Sequence, residues 1–252
     1  VIEQLPIVLA ALLVGATVGL TGVGAGAIMT PVLILLFAVP PAVAIATDLI
    51  FATVTKLASA TIHSRSGSID WLAARGIWAG SIPGVILGSA LLIFLHSRFD
   101  SSLSLILVGV LLFSSFSMIR SSGNQARIPM SRTKTTLGGG FIGFSVATTS
   151  VGAGALGMVL LRAKLGDENP KRLVGTDIIH AIPIALIAGV SYFFAGFVDL
   201  ELLALMLLGS IPGVLIGSLL TGLISATVLR RVVGIVIAIA AISILFKTLG
   251  LF

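Results

Sequence analysis

Cysteine is absent from the 252 residues, and histidine occurs only as His63, His96 and His180. Disulfides and thiolate metal centres are therefore excluded, and a histidine-rich metal site has too few ligands. Charge is scarce as well: Asp, Glu, Lys and Arg together make up 10%, against about 25% in a soluble domain. Water cannot be the main solvent of such a chain, and no stretch of soluble composition is left over for a separate domain. Apolar–polar alternation is also missing, because runs such as Leu103 to Met118 and Val232 to Phe246 are continuously apolar or small. That excludes a transmembrane barrel, the other backbone arrangement that satisfies its hydrogen bonds in lipid. The expected fold class is an all-α polytopic membrane protein, with no catalytic residue, metal or cofactor assigned.

What the chain does contain is 57% hydrophobic residues and a mean hydropathy of +1.21. Apolar runs of the roughly 20 residues needed to cross hydrocarbon recur from Leu5 almost to Phe252. The net charge of +6 comes from basic residues in the short stretches between those runs. This is the pattern of the positive-inside bias rather than of a nucleic-acid surface. The first run is preceded by Glu3 and has no basic leader, so it reads as part of the fold.

The sequence repeats itself. Thr21-Gly-Val-Gly-Ala-Gly-Ala27 returns as Thr149-Ser-Val-Gly-Ala-Gly-Ala155, and Ala46-Thr-Asp48 returns as Gly175-Thr-Asp177. Gly67-Ser-Ile-Asp70 matches Gly196-Phe-Val-Asp199, and Gly80-Ser-Ile-Pro-Gly-Val85 matches Gly209-Ser-Ile-Pro-Gly-Val214, always 128 or 129 residues apart. This divides the chain into a first membrane repeat, 1–120, a basic cytoplasmic linker, 121–135, and a second membrane repeat, 136–252. Each repeat holds four apolar elements, expected at 5–37, 41–62, 72–95 and 102–119, then 136–161, 173–195, 200–222 and 232–250. The first element of each is broken by glycines, which disfavour helix by about 1 kcal/mol apiece.

Loop charge decides between two topologies. If all eight elements cross once, the loop Arg and Lys residues divide seven against seven, contrary to the positive-inside rule. If each glycine-broken element enters and leaves by the same side, only Arg98 and Lys247 stand against the other twelve. Three full crossings per repeat then remain, an odd number, so the repeats are inverted relative to each other. Both termini face outward, and the basic loops 120–135 and 162–172 face the cytoplasm. Inverted repeats with re-entrant segments are a common construction of secondary transporters.

The motifs Val23-Gly-Ala-Gly-Ala27 with Pro31, Pro40-Pro41, Ala46-Thr-Asp48, His63-Ser-Arg-Ser-Gly-Ser-Ile-Asp-Trp71 and Gly80-Ser-Ile-Pro-Gly84 resemble the sulfite exporter TauE/SafE family over nearly the whole chain. The resemblance implies a bacterial inner-membrane permease for small sulfur-containing anions such as sulfite, thiosulfate or organosulfonates. Two departures stand out: Ala25 and Ala153 replace a glycine found in many members, and Asp48 and Asp177 replace a serine.

An oxyanion inside a bilayer needs donors that cost little to bury, and helix N-termini with glycine-exposed N–H groups supply them. The expected substrate site is the two glycine-rich tips, with Thr21, Gly22, Gly24 and Gly26 from one and Thr149, Ser150, Gly152 and Gly154 from the other. Tight helix packing is the competing reading of those glycines. Ionisable residues inside membrane spans cost roughly 3 kcal/mol each on insertion scales, so Asp48, Lys56, Asp177 and His180 all demand an explanation. Lys56 can offset an anion's charge or snorkel to the interface. Asp177 and His180, three apart, share a helix face and could move protons as a carboxylate–imidazole pair; Asp48 and Asp177 could instead serve as structural caps. The partners expected are a small anionic substrate and the lipid bilayer, with no nucleic acid. The competing functions are an anion channel and an intramembrane aspartyl protease using Asp48 and Asp177.

Overall fold

The computed structural model describes residues 4–21, 26–63, 69–95, 100–120, 130–166, 170–220 and 226–250, and every regular element among them is a helix. In chain order these are α1 (Leu5–Thr21), α2 (Gly26–Leu36), α3 (Pro41–His63), α4 (Trp71–Leu95), α5 (Asp100–Arg120), α6 (Arg132–Thr149), α7 (Ala155–Leu165), α8 (Pro170–Phe194), α9 (Leu200–Leu219) and α10 (Ala226–Thr248). The protein is a multi-pass membrane protein. Helices α3, α4, α8, α9 and α10 are long and apolar enough to cross, and α5 carries a shorter apolar stretch, Ser104–Arg120. Large apolar side chains such as Leu13, Leu72, Phe94, Phe194 and Leu219 cover the outer surface.

The second glycine-broken element divides in two, as its composition requires, and the first is described on either side of residues 22–25. In the second, α6 ends at Ser150 with φ 59°, and Gly152 follows at φ 127°, a left-handed conformation that glycine adopts without penalty. α2 and α7 are 11 residues each, about 16 Å long, far short of about 30 Å of hydrocarbon. α6 begins earlier than expected, inside the segment assigned to the linker. The reason is local: the Ser131 side chain accepts the Lys134 N–H and caps the helix there. Linker residues 121–129 lie outside the described residues.

Close approaches at glycine fix how the helices run. A Cβ at Gly80 would meet Thr136, one at Gly84 would meet Gly140, and one at Gly88 would meet Phe144 and Ala147. The register advances in the same sense on both helices, so α4 and α6 are parallel. Gly209, Gly213 and Gly217 meet Val8, Leu12 and Ala16 in the same way, so α9 and α1 are parallel too. By contrast, Ile50 lies against Gly189 while Lys56 lies by Asp177, so α3 and α8 are antiparallel. α5 and α10 pair near Ser115 and Gly234, where Ser115 Oγ donates to the Gly234 carbonyl at 2.8 Å. Each of these neighbours has its repeat-related counterpart: α4 with α6 answers α9 with α1, and α2 with α10 answers α7 with α5.

The same contacts fold the glycine-broken elements into hairpins. Gly76, at the start of α4, faces both Thr135 at the start of α6 and Lys164 at the end of α7. On the other side, Gln4 Nε2 donates to Glu201 at 2.7 Å, placing the start of α1 beside the start of α9. Lys247 at the end of α10 donates to the Ile34 carbonyl at 3.1 Å, near the end of α2. Since α10 returns from the far end of α9, α2 leaves by the end at which α1 enters.

Two threonines tie the repeats together. Thr176 Oγ1 accepts the Asp70 N–H at 2.9 Å, and Thr47 Oγ1 accepts the Asp199 N–H at 3.0 Å. Asp70 and Asp199 in turn cap α4 and α9 through the N–H groups of Ala73 and Leu202. Asp70 therefore has a structural role. It also receives Arg172 at 2.5 Å. Burial by itself pushes the Asp70 carboxyl up. The Ala73 N–H, the Arg172 guanidinium and the Leu72 N–H together outweigh it and hold the group below the usual carboxylate range.

Replacing Gly80 or Gly213 by leucine should separate α4 from α6 or α1 from α9 and destabilise the protein by about 1–3 kcal/mol or more. Gly109→Leu, where nothing lies within 4 Å, should be near neutral in the same thermal melts in detergent. Asp70→Asn should lower the melting temperature at neutral pH. Because the folded-state value is depressed, this stability is present above the ordinary carboxylate range and lost as pH falls through it. The wild-type and mutant melting curves should thus converge on acidification.

Candidate functional site

The two hairpin tips meet each other. A Cβ at Gly26, the first residue of α2, would strike the carbonyl and Oγ of Ser150, the C-cap of α6. Only glycine fits at that crossing. Around it lies a buried cavity lined by Gly26, Ala27, Lys56, Ser150, Gly152 and Gly154, with Leu49, Val146 and Ala185 as apolar walls. Its volume is about 10 Å³, room for about one water molecule. Gly154 occupies the N-cap position of α7 and gives no side-chain cap; the N–H groups of Leu156 and Gly157 instead bond the Gly152 carbonyl at 2.9 and 3.0 Å, and that of Met158 bonds the Gly154 carbonyl at 3.3 Å.

The expected tip residues are thus partly assembled. Gly26, Ser150, Gly152 and Gly154 line one cavity, whereas Gly22 and Gly24 lie outside the described residues, as does the Thr21 side chain. Thr149 is adjacent but occupied: its hydroxyl is 2.6 Å from the Ser145 carbonyl and accepts the Val151 N–H at 3.1 Å. It shapes the turn after α6 instead of offering a donor to the cavity.

Lys56 is 5% exposed, which removes the snorkelling reading. It lines the cavity and stands 3.9 Å from Asp177 Oδ2 on α8. Asp177 and His180 do sit together, both facing Gly157, where a Cβ would collide with Asp177 Oδ1. They are not hydrogen-bonded to each other. His180 Nε2 pairs with Ser81 Oγ at 3.1 Å, while His180 Nδ1 and both Asp177 oxygens have no hydrogen bond. The expected carboxylate–imidazole pair is therefore replaced by a lysine–carboxylate pair with the imidazole beside it. The physical reason is that a fully buried carboxylate gains more from a cation than from a neutral ring.

Asp48, fully buried on α3, has different surroundings. Thr30 on α2 donates to its Oδ2 at 2.6 Å. Ser150 lies beside the carboxylate, yet neither Ser150 Oγ nor Asp48 Oδ1 has a hydrogen bond. Sequence reasoning missed Thr30, Ser81 and Gly157 as neighbours of the buried charges. Ser81 was signalled by the repeat, since its equivalent Ser210 is also buried; Thr30 has no polar equivalent and left no signal.

The family profile described as "Sulfite exporter TauE/SafE" matches residues 7–244. The chain belongs to the sulfite exporter TauE/SafE family. Among curated proteins, a "Probable membrane transporter protein YjnA" of Bacillus subtilis (strain 168) is 34% identical over 252 residues, covering 95% of this chain and 98% of the relative. "Probable membrane transporter protein YdhB" of the same organism is 27% identical, covering 95% of this chain and 99% of that one. Residues of a third, "Probable membrane transporter protein YunE", are 37% identical over 81 positions, 32% of this chain and 30% of the relative. No solved structure matches. A family of membrane transporters, not of enzymes, is what these relatives describe.

Lys56→Met should cost about 3–5 kcal/mol, because it strands the Asp177 carboxylate without a cation in a dry interior. Lys56→Met with Asp177→Asn should recover most of that loss. A thermal-unfolding double-mutant cycle reads the coupling, and simple additivity would show that the two side chains do not sense each other.

Proposed function

We propose that this protein is a secondary transporter of a small sulfur-containing anion, of the sulfite, thiosulfate or organosulfonate class, bound where the hairpin tips meet. The observation that carries the reading is the small cavity lined together by Lys56, by Gly154 at the start of α7 and by Gly26, the first residue of α2. A buried cation supplies charge, and the positive end of the α7 dipole adds to it. Thr21, Gly22 and Gly24 belong to the same tip as Gly26 and complete the proposed site. At about 10 Å³ the cavity is too small for such an anion. The tips must part to admit it, as an alternating-access cycle requires.

Antiparallel packing of repeat-equivalent helices, α3 against α8 and α5 against α10, supports inverted repeats. The hairpins, each returning to the end it started from, support re-entrant segments. Arg75, Arg132, Lys134, Lys164 and Arg172 gather at the end where α4, α6 and α8 begin, while Glu201 and Lys247 lie at the other. That distribution supports a cytoplasmic basic end in a bacterial inner membrane. Asp48, Asp177 and His180 are the groups through which a proton can be coupled to transport. The protease reading has little support: along the antiparallel α3–α8 pair, Asp48 and Asp177 are separated by roughly 15 Å, too far to share a proton.

The test is thermal stabilisation of the detergent-purified protein by sulfite, thiosulfate, sulfoacetate, sulfate and phosphate, followed by counterflow of the stabilising anion in proteoliposomes. At one hundred times its dissociation constant the true substrate stabilises by about 2.7 kcal/mol. Gly154→Ala, which adds one methyl group to the cavity wall at the start of α7, should reduce that increment while leaving the unliganded melt within about 1 kcal/mol. A response equal for all anions, or one retained in full in Gly154→Ala, would place the substrate elsewhere.

A further inference from the structure

A second opening between helices lies away from the hairpin tips, at the end where α4 and α6 begin and α7 finishes. It is a groove of about 480 Å³, within the roughly 300–1,000 Å³ of small-molecule sites. Arg75 of α4, Arg132 of α6 and Lys164 of α7 form its basic wall, and Leu72 and Ala79 are apolar neighbours. Among the described residues no acidic side chain lines it. Glycine at position 76 leaves the room, since a Cβ there would stand 3.0 Å from Lys164 Nζ. At the repeat spacing, the counterparts of Arg75, Gly76, Arg132 and Lys164 are Ala204, Leu205, Gln4 and Leu36. Duplication of the frame therefore does not account for the groove.

The groove faces lipid at head-group depth. Leu72, Arg75 and Ala79 are exposed, and the same flank of α4 continues as exposed Pro83 and Ile86, three or four residues apart as one helix face requires. The apolar stretch of α4 runs from Trp71 to Phe94, 24 residues, or about 36 Å of helix against about 30 Å of hydrocarbon. Its first turn therefore reaches the head groups, and half-exposed Trp71 is of the residue type enriched at that level. Arg75 stands one turn further in. The Arg75 and Arg132 guanidinium groups have no hydrogen bond or ion pair among the described residues. Two cations at the edge of hydrocarbon, with no acceptor on the protein, are left to find one in the bilayer.

We propose that this groove holds the head group of an anionic phospholipid, its phosphate oxygens accepting from Arg75, Arg132 and Lys164 while an acyl chain lies along α4 past Ala79, Pro83 and Ile86. A guanidinium presents two parallel N–H donors to a phosphate, and the neighbouring apolar flank suits a lipid better than a soluble anion. A zwitterionic head group brings its own ammonium against the basic wall, so the net charge of the lipid is what the groove selects. The bound lipid joins α4 of one repeat to α6 and α7 of the other. The site stands whatever the chain transports.

The test uses detergent-purified protein in mixed micelles holding equal amounts of phosphatidylglycerol and phosphatidylcholine with identical acyl chains, the bound lipid being read by native mass spectrometry. Phosphatidylglycerol should be retained about tenfold over phosphatidylcholine. Arg75→Gln should lower that ratio several-fold, and Arg75→Gln with Arg132→Gln should bring it near one. Gly76→Leu, which puts the other repeat's side chain into the groove, should lower it with no change of charge. Lys134→Gln removes a charge from the same end of α6 but outside the groove, and should leave the ratio as it was. Equal retention of the two lipids by the unaltered protein overturns the proposal. So does a ratio that survives in the double variant or in Gly76→Leu, or one that falls as far in Lys134→Gln as in Arg75→Gln. An excess of inorganic phosphate should not release the lipid; release would assign the groove to a soluble oxyanion and overturn the lipid assignment.

Discussion

A helix of eleven residues that begins inside the hydrocarbon leaves its first N–H groups in a place where lipid offers no acceptor. At α7 the Gly152 carbonyl meets that need by accepting the Leu156 and Gly157 N–H groups, and on the re-entrant arrangement proposed above much of the fold serves to enclose α2 and α7. Each is reached by a longer partner, α1 or α6, which must itself be held tightly by a helix of the other repeat. The glycine rows on α4 and α9 meet that need by letting backbones come close enough for van der Waals packing to hold without a hydrophobic driving force. The N-termini so enclosed remain polar, and a polar, water-poor interior is the condition for recognising an anion selectively.

Duplication supplies the frame, and divergence supplies the chemistry. The Thr-Asp dipeptide shows both within two residues. Thr47 and Thr176 make the same bond, each to the start of the third long helix of the opposite repeat, so the frame is symmetric. The next residue in each case turns into the interior, where the symmetry ends. Asp177 meets Lys56, whose equivalent is Ala185, and lies by His180, whose equivalent is Phe51. Asp48 meets Thr30 and Ser150 instead. A protein built from two identical halves would bury the same charges twice; these substitutions give each half its own.

The frame was legible from sequence because it rests on long-range regularities: hydropathy sets helix number, glycine runs set the breaks, and the constant repeat spacing pairs the elements. The early start of α6 was missed because a single serine cap decides it, and its signal lies in one hydrogen bond. The site was legible in outline for a different reason. Buried ionisable residues are so costly in lipid that Asp48, Lys56, Asp177 and His180 announce themselves by residue type alone. Which of them pair could not be read, since helical spacing places Asp177 and His180 on one face but says nothing of the lysine on α3 that faces them. Thr30 was invisible for the same reason, as threonine is inexpensive to bury when it can bond a carbonyl of its own helix.

The long ion pair between Lys56 and Asp177 fits this division. At 3.9 Å it is too extended for a hydrogen bond, so it neutralises charge without locking either side chain. On the transport reading proposed above, Lys56 turns part of its charge toward an anion in the cavity while Asp177 remains close enough to keep it compensated when the cavity is empty. A shorter, fully bonded pair would hold Lys56 against α8 and leave the helix N-termini as the sole attraction for the anion. A lysine with no carboxylate would leave an uncompensated cation in hydrocarbon whenever substrate departs. The observed geometry lies between these extremes, where the cost of the empty state and the affinity of the filled one can both be modest.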